Sequence, residues 1–242
     1  MPGAIAEVAA VAAALGLAAG GFAYASLWPT SQIFGRTLIA GDDGDEVALT
    51  FDDGPNDAAT PQLLDVLARH GVRATFFNMG NFARERPEIV RQAVAAGHLV
   101  GNHTMSHPRL STEPAARVRQ ELRDCNALLE DITGQAVKFF RPPFGARRRM
   151  VMLVGWRLGL TPVMWNVTGR DWNPIGVEEI LSNLENGIAQ NRLEGRGSNL
   201  LLHDGGHCAM GAERMDTVRA VDRLLTAQRG TRTRFVTVDA WA

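Results

Sequence analysis

A barrel of parallel strands wrapped by helices is the fold predicted for this 242-residue chain, and two observations point to it. Seven short apolar runs, at residues 46–51, 73–78, 98–102, 137–141, 161–167, 198–203 and 234–238, are rich in Val, Leu, Ile or Phe, as strands buried on both faces tend to be. They alternate with stretches of helical spacing, the pattern of α/β architecture with a parallel sheet. Polar residues suited to hydrolytic chemistry stand at the ends of most runs, and a parallel barrel brings all those ends to one face. That placement favours a closed barrel over an open doubly wound sheet.

The first element differs from the rest. Val8 to Leu27 carries no charge and is dominated by alanine. Twenty such residues are long enough to span a bilayer as a helix. Ala23-Tyr24-Ala25 offers a signal-peptide cleavage site instead, while Glu7 and the lack of Lys or Arg before the run leave a soluble alanine-rich helix as a third option. The expectation is a membrane anchor facing the cell exterior or periplasm, or a secreted protein, with the anchor favoured by the length of the run. Trp28-Pro29-Thr30 breaks this helix, so residues 1–29 form the apolar segment and residues 30–242 the catalytic domain. Gly41-Asp42-Asp43-Gly44-Asp45 is a turn-rich connector into the first strand.

Between the strands, Pro61 opens a helix over 61–70 that stops at Gly71, with Leu63, Leu64 and Leu67 on one face. Pro87 opens 87–96, closed by Gly97, and Pro114 opens 114–132, closed by Gly134. Further helices are expected at 147–158, 177–190 and 212–228. With 25 basic against 26 acidic side chains, the chain lacks the basic footprint of a nucleic-acid binder. No strand is followed by a glycine-rich phosphate loop. Cys125 and Cys208 form no CxxC pattern and are read as unpaired thiols. No segment points to a protein partner.

The strand ends carry the chemistry. Asp52-Asp53 follows the first run, where Gly54-Pro55 makes a tight turn; one carboxylate can bind a metal while the other stays free as a base. His103 and His107, four apart, are read as metal ligands on one side of a single helical turn. Neutral imidazoles with a carboxylate suit zinc or cobalt and leave room for water and substrate. Arg141 leads Pro142-Pro143-Phe144 and can grip a carboxylate in a bidentate fashion, whereas Arg147 to Arg149 read as a solvated helix start. Asp171-Trp172 follows the fifth run, and His203, ahead of Asp204-Gly205-Gly206, is a candidate acid. His98, at the opposite end of its strand, is read as structural.

Thr50-Phe51-Asp52-Asp53-Gly54-Pro55, His103-x-x-x-His107, Arg141-Pro142-Pro143-Phe144, Asp171-Trp172 and Leu201-Leu202-His203 resemble the five ordered motifs of the polysaccharide deacetylases. This NodB-homology family is also known as the family-four carbohydrate esterases. The resemblance covers roughly residues 45 to 240. It implies a distorted (β/α) barrel of about seven parallel strands and a divalent metal, usually zinc. Carried over, Asp53, His103 and His107 bind the metal, Asp52 is the general base and Arg141 orients it. His203 becomes the general acid, tuned by Asp171, while Trp172 and Leu201 shape the acyl pocket. The Phe144 N–H contributes to an oxyanion hole. One departure is Thr168, three residues before Asp171, where the family often has aspartate.

The implied reaction is hydrolysis of N-acetyl groups on an amino-sugar polymer such as peptidoglycan or a chitin-like glycan. Rival readings are an O-acetyl xylan or cyclic amide hydrolase, or a silent glycan-binding membrane protein. Retention of base, acid and all three ligands argues against silence.

Overall fold

The computed structural model describes Gly16 and residues 19–242. Half of the apolar run over residues 8–27 lies outside the described residues. Residues 19–27 are helical, and no helix among the described residues is long and apolar enough to cross a membrane.

Strands β1 (Glu46–Gly54), β2 (Thr75–Asn78), β3 (Leu99–Asn102), β4 (Phe139–Phe140), β5 (Thr161–Pro162), β6 (Val167–Thr168), β7 (Ser198–His203) and β8 (Arg234–Val236) form one sheet. All the pairings are parallel, in the order β5-β4-β3-β2-β1-β7-β6, with β8 against the start of β1. The run expected as one strand over 161–167 is split. Its first half pairs with β4 and its second with β7, so the two edges of the sheet are successive pieces of one segment. That segment curls the sheet into a distorted barrel. Residues 38 and 39 fill the gap: Leu38 donates to Pro162 O at 2.9 Å and accepts from Met164 N at 2.8 Å. Asn199 Nδ2 ties Ile39 O and Met164 O to β7 at 2.9 and 2.8 Å.

Helices α1 (Ala59–His70), α2 (Gly80–Glu85), α3 (Pro87–Ala95), α4 (Ala115–Thr133), α5 (Arg149–Arg157), α6 (Gly176–Leu193) and α7 (Met215–Ala227) complete the alternation. The six that the spacing predicts lie within three residues of their expected bounds. Gly71 and Gly134 close α1 and α4 in the left-handed region, which a glycine enters without a Cβ clash. Among the α-helices of the described residues α2 alone is unexpected; at six residues it is too short to show a stripe, and only its Gly80 and Ala83 are buried.

Alternation along β1 explains how a polar site is held on an apolar frame. Val47, Leu49 and Phe51 point outward into a core shared with α1, α6 and α7. Ala48, Thr50 and Asp52 point into the barrel. At the bottom of that interior Ala48 packs with Phe77, Phe139, Val163 and Val238. Gly101 makes room there, because a Cβ would sit 2.4 Å from the Phe77 ring. Above this plug lies a buried polar layer of Thr50, Asn199 and Arg141, and above it the two aspartates. Burying a Phe or Leu is worth about 1.5–3 kcal/mol. The outward rows therefore fix the register, since a one-residue slip would turn Asp52 out of the barrel.

Arg147 is not the solvated residue that its sequence context suggests. It is 1% exposed, while Arg149 is exposed and Arg148 half-buried. Its guanidinium donates to Gly145 O at 3.0 Å, Trp28 O at 2.8 Å, Pro29 O at 3.3 Å and Ser31 O at 2.8 Å, and its amide donates to Ser26 O at 3.0 Å. Burial lowers its pKa to about 10, which still leaves it charged at neutral pH. It fastens residues 26–31 to the loop after β4, and a cut at residue 30 severs part of this clamp. Leaving a buried carbonyl unpaired costs about 1–3 kcal/mol. Arg147→Met should therefore lower the unfolding free energy by about 3 kcal/mol or more, read from the urea midpoint at constant m-value. A loss under about 1 kcal/mol would show that the clamp adds little.

Candidate active site

Adjacent residues on a strand face opposite ways, so Asp52 and Asp53 cannot both enter the barrel mouth from a regular β1. The strand solves this with a bulge. Its register against β2 shifts between Asp52 and Gly54, and Asp53 sits at φ 70°, in the left-handed region. Bulges re-aim side chains in this way. The bend is packed from behind by glycine: a Cβ on Gly205 would lie 2.1 Å from Asp53 O, and one on Gly54 would lie 2.2 Å from the Asp204 carboxylate. Asp204 braces the same turn, accepting from Thr60 Oγ1 at 2.6 Å while its amide donates to Asp52 O at 3.2 Å. Burial raises the Asp204 carboxyl to about 7.

The bulge parts the two carboxylates. Asp52 Oδ1 accepts from Arg141 Nη1 at 2.9 Å. Arg141 is fully buried, and the same Nη1 reaches Thr50 Oγ1 at 2.7 Å. Nη2 turns to Met164 O and Asn199 Oδ1, each at 3.3 Å. The expected bidentate grip is thus a single contact, because the second arm of the guanidinium serves the polar layer below. The guanidinium also lies over the Phe77 ring, 4.3 Å from its centroid.

Asp53 faces histidines. Its Oδ1 is 3.1 Å from His107 Nε2 and 3.4 Å from His103 Nε2. His103 and His107 do not share a helical turn, contrary to the reading of their spacing. Residues 103–109 form an irregular loop in which Thr104 and His107 have φ 69° and 59°. The backbone is drawn out of a helix by other partners. Thr104 O and Met105 O accept from Gly80 N and Asn81 N, both at 2.9 Å, and Asn102 Oδ1 accepts from Thr104 N at 2.8 Å. His103 Nδ1 is fixed on Arg141 O at 2.8 Å, which turns Nε2 to the aspartates.

A third imidazole joins this cluster. His207 Nδ1 is 3.8 Å from Asp53 Oδ2, and its ring stacks on His107 at 4.5 Å between centroids. Metal-capable atoms of Asp53, His107 and His207 all lie within 4.8 Å of one another. Sequence reasoning gave His207 no task. The signal was there, since His203 and His207 repeat the spacing of His103 and His107.

The donor set fits a divalent cation. Burial alone would raise the Asp53 carboxyl, but its contacts with His103 and His107 outweigh that and hold it far below the usual range. Asp53 Oδ1 is buried without a hydrogen-bond partner among the described residues. An ionised oxygen aimed at imidazole nitrogens is the hard and borderline donor mix that zinc and cobalt take.

Across the mouth, His203 ends β7. Its amide and Nδ1 both bind the Asp171 carboxylate, at 2.7 and 2.8 Å, which leaves Nε2 for the cleft. Thr217 Oγ1 supports Asp171 at 2.9 Å. Burial would lower the His203 pKa, but the Asp171 charge and hydrogen bond prevail and raise it to about 9. Thr168 accepts from Arg170 N at 3.2 Å and so helps close the turn that carries Asp171.

Asp52, Asp53, His103, His107 and His203 line a cleft of about 500 Å³ with Phe144, Trp172, Leu201, Trp165, His207 and Arg214. Trp172 meets the His203 ring edge-on at 5.5 Å. Phe144 stands half-exposed at φ 58°, on a loop whose two prolines precede it. Every site residue expected from the sequence is thus in or against one cleft. Trp165, Arg214 and Asn199 were missed, for nothing in their neighbours marks them. His98 lies away from the cleft, where its Nδ1 accepts from Ala74 N at 3.1 Å and burial lowers its pKa to about 4. Cys125 is buried and Cys208 exposed, both unpaired.

Comparison with known proteins places this geometry in a family. The polysaccharide deacetylase model matches residues 40–163. A chitooligosaccharide deacetylase from a Bradyrhizobium strain is 39% identical over 188 residues, 75% of this chain and 83% of the relative. A solved peptidoglycan N-acetylglucosamine deacetylase superposes with TM-score 0.73 at 32% identity, covering 84% of this chain and 91% of that one. A family-four acetyl xylan esterase from Clostridium thermocellum, solved with a cobalt ion, gives TM-score 0.71 at 29% identity over 81% of this chain and 89% of the other. The chain therefore belongs to the polysaccharide deacetylases, the family-four carbohydrate esterases, and is a carbohydrate N-deacetylase.

Proposed function

We propose that the chain deacetylates N-acetylglucosamine units in chitin-like or peptidoglycan chains, with Asp53, His103 and His107 holding zinc, or cobalt in its place. The observation that carries this reading is the parting of two adjacent carboxylates, one onto Arg141 and the other onto imidazoles. When bound, the cation supplies Lewis acidity toward an acetyl carbonyl and makes water easier to deprotonate.

The protein's own groups do the rest. Asp52 takes the proton of the attacking water, and its link to Arg141 keeps it fixed in place for that task. The Phe144 N–H donates to the developing oxyanion, a contact worth about 3 kcal/mol in comparable sites. His203 gives its proton to the departing nitrogen. An amine is a poor leaving group unless protonated, and Asp171 holds His203 in the protonated form that this step needs. Trp172 and Leu201 form an apolar wall against which the acetyl methyl packs. Arg141 and Asp171 are positioning residues, acting through Asp52 and His203.

The apolar start gives the enzyme its location in this proposal: residues 8–27 anchor it in a membrane with the catalytic domain outside the cytoplasm. Phe22, Tyr24, Leu27, Trp28 and Ile33 support this, being exposed where the run meets the domain. Such residues suit a bilayer interface.

Acetate release from a panel of chitooligosaccharides, peptidoglycan fragments and acetyl xylan tests the substrate. Turnover of the amino-sugar substrates above the xylan is expected; preference for the xylan ester would overturn the proposal. Chelation should abolish turnover and zinc or cobalt restore it.

Asp52→Asn should retain bound metal, measured by elemental analysis, and lose at least about a hundredfold in kcat, the range of a lost general base. Asp53→Asn should instead lose the metal. Reversed phenotypes would contradict the division of roles.

The pH profile tests the acid. His203 works when protonated, so kcat should hold below its pKa of about 9 and fall as pH rises through it. Asp171→Asn removes the charge that raises this pKa, so the alkaline limb should move to lower pH. A limb that stays in place would exclude Asp171 as the tuning group.

For the anchor, full-length protein expressed in bacteria should sediment with membranes and need detergent for release. Recovery from the cytoplasm, soluble and with its N-terminus intact, would refute it.

A further inference from the structure

The loop after β7 brings His207 back to the carboxylate that faces His103 and His107. Asp53 has two oxygens, and they face different ways: Oδ1 lies 3.1 and 3.4 Å from His107 and His103, and Oδ2 lies 3.8 Å from His207 Nδ1. Only Gly205 and Gly206 separate Asp204 from His207, and Gly205 is pressed against the Asp53 backbone. Arg214 Nε holds this short path by donating to Gly205 O at 2.7 Å. The His207 ring is stacked nearly parallel to His107, at 17°, and meets Phe144 edge-on at 5.3 Å. Its side chain is still 42% exposed, so it can leave the cluster without disturbing the core.

We propose that His207 is a fourth, exchangeable protein ligand to the cation held by Asp53, His103 and His107, and that an incoming glycan displaces it. The inference rests on the metal reading given under Proposed function. Asp53, His107 and His207 converge within 4.8 Å of one another, and His103 Nε2, 3.4 Å from Asp53 Oδ1, would complete the four-coordinate arrangement that zinc favours. Catalysis needs an open position, and a ligand on an exposed ring behind two glycines can provide one by swinging away. The Phe144 contact places that movement beside the acetyl-binding wall, so occupancy of the cleft and departure of His207 are sterically coupled.

The test uses full-length enzyme, wild type and His207→Ala and His207→Gln variants, stripped by chelation and titrated with cobalt(II) and zinc. Four-coordinate cobalt absorbs visible light far more strongly than five- or six-coordinate cobalt. Wild type should show the strong band, and in both variants it should shift in position and intensity, because water or an amide oxygen replaces an imidazole. Zinc affinity, read by competition with a chromophoric chelator, should fall about tenfold or more, at least what loss of a group supporting a ligand costs. Thermal unfolding of the metal-free proteins should be unchanged, since the side chain is exposed. Unaltered cobalt spectra with zinc affinities within about twofold of wild type would overturn the proposal. His107→Ala is the control: if it too binds metal normally, the metal reading itself fails, whereas loss of binding in His107→Ala alone removes only the role of His207.

Discussion

Two neighbouring carboxylates can serve one cleft only if the strand between them is bent, and the β-bulge at Asp53 is that bend. The remaining features of the site follow from it. A non-glycine residue at φ 70° is disfavoured, so the surroundings must hold it. Gly54 and Gly205 permit the close approach of the β7 loop, Asp204 ties that loop to Thr60, and Arg141 takes Asp52 in the other direction. The result is a difference in chemistry between two identical side chains. One carboxylate is bound to a guanidinium, and the other is directed at nitrogen donors.

This arrangement is costly to fold and useful to catalysis for the same reason. A buried arginine loses its hydration, and burial accordingly lowers the Arg141 pKa. Such groups persist when hydrogen bonds replace the water, as Thr50, Asn199, Met164 O and Asp52 do here. Because Thr50, Asp52 and Asn199 are strand residues and Met164 is tied to Leu38 and Asn199, the charge cannot relax during a reaction. Fixed dipoles that need no reorganisation are the main source of transition-state stabilisation in enclosed sites. The apolar plug beneath them, with Phe77 under the guanidinium, keeps the layer from sinking. Arg147 repeats the device without any carboxylate, binding carbonyls alone, and so joins the entry segment to the loop bearing Phe144.

The barrel was legible because its punctuation is local. Pro61, Pro87 and Pro114 mark helix starts, Gly71 and Gly134 mark stops, and the apolar runs between them have the length and composition of strands. Asp52, Asp53, His103, His107 and His203 were legible because each stands at the end of such a run. What escaped depends on contacts remote in sequence. The spacing of His103 and His107 suits a helix, but Gly80 and Asn81 capture the loop carbonyls from another element. Asn199 lies within an apolar strand, where nothing in its neighbours shows that its side chain meets Thr50, Arg141, Ile39 O and Met164 O. Arg147 resembles its two neighbours until residues 26–31 are seen to cover it. The fifth strand looks continuous because the sequence does not record that its halves have different partners.

The central claim is that Asp53 belongs to a metal and Asp52 does not. Anomalous diffraction from zinc-soaked crystals, collected on either side of the zinc absorption edge, addresses it without reference to activity. The account predicts one strong peak within bonding distance of Asp53, His103 and His107, with Asp52 still hydrogen-bonded to Arg141. A peak bound to Asp52, or a zinc site away from these residues, would contradict it.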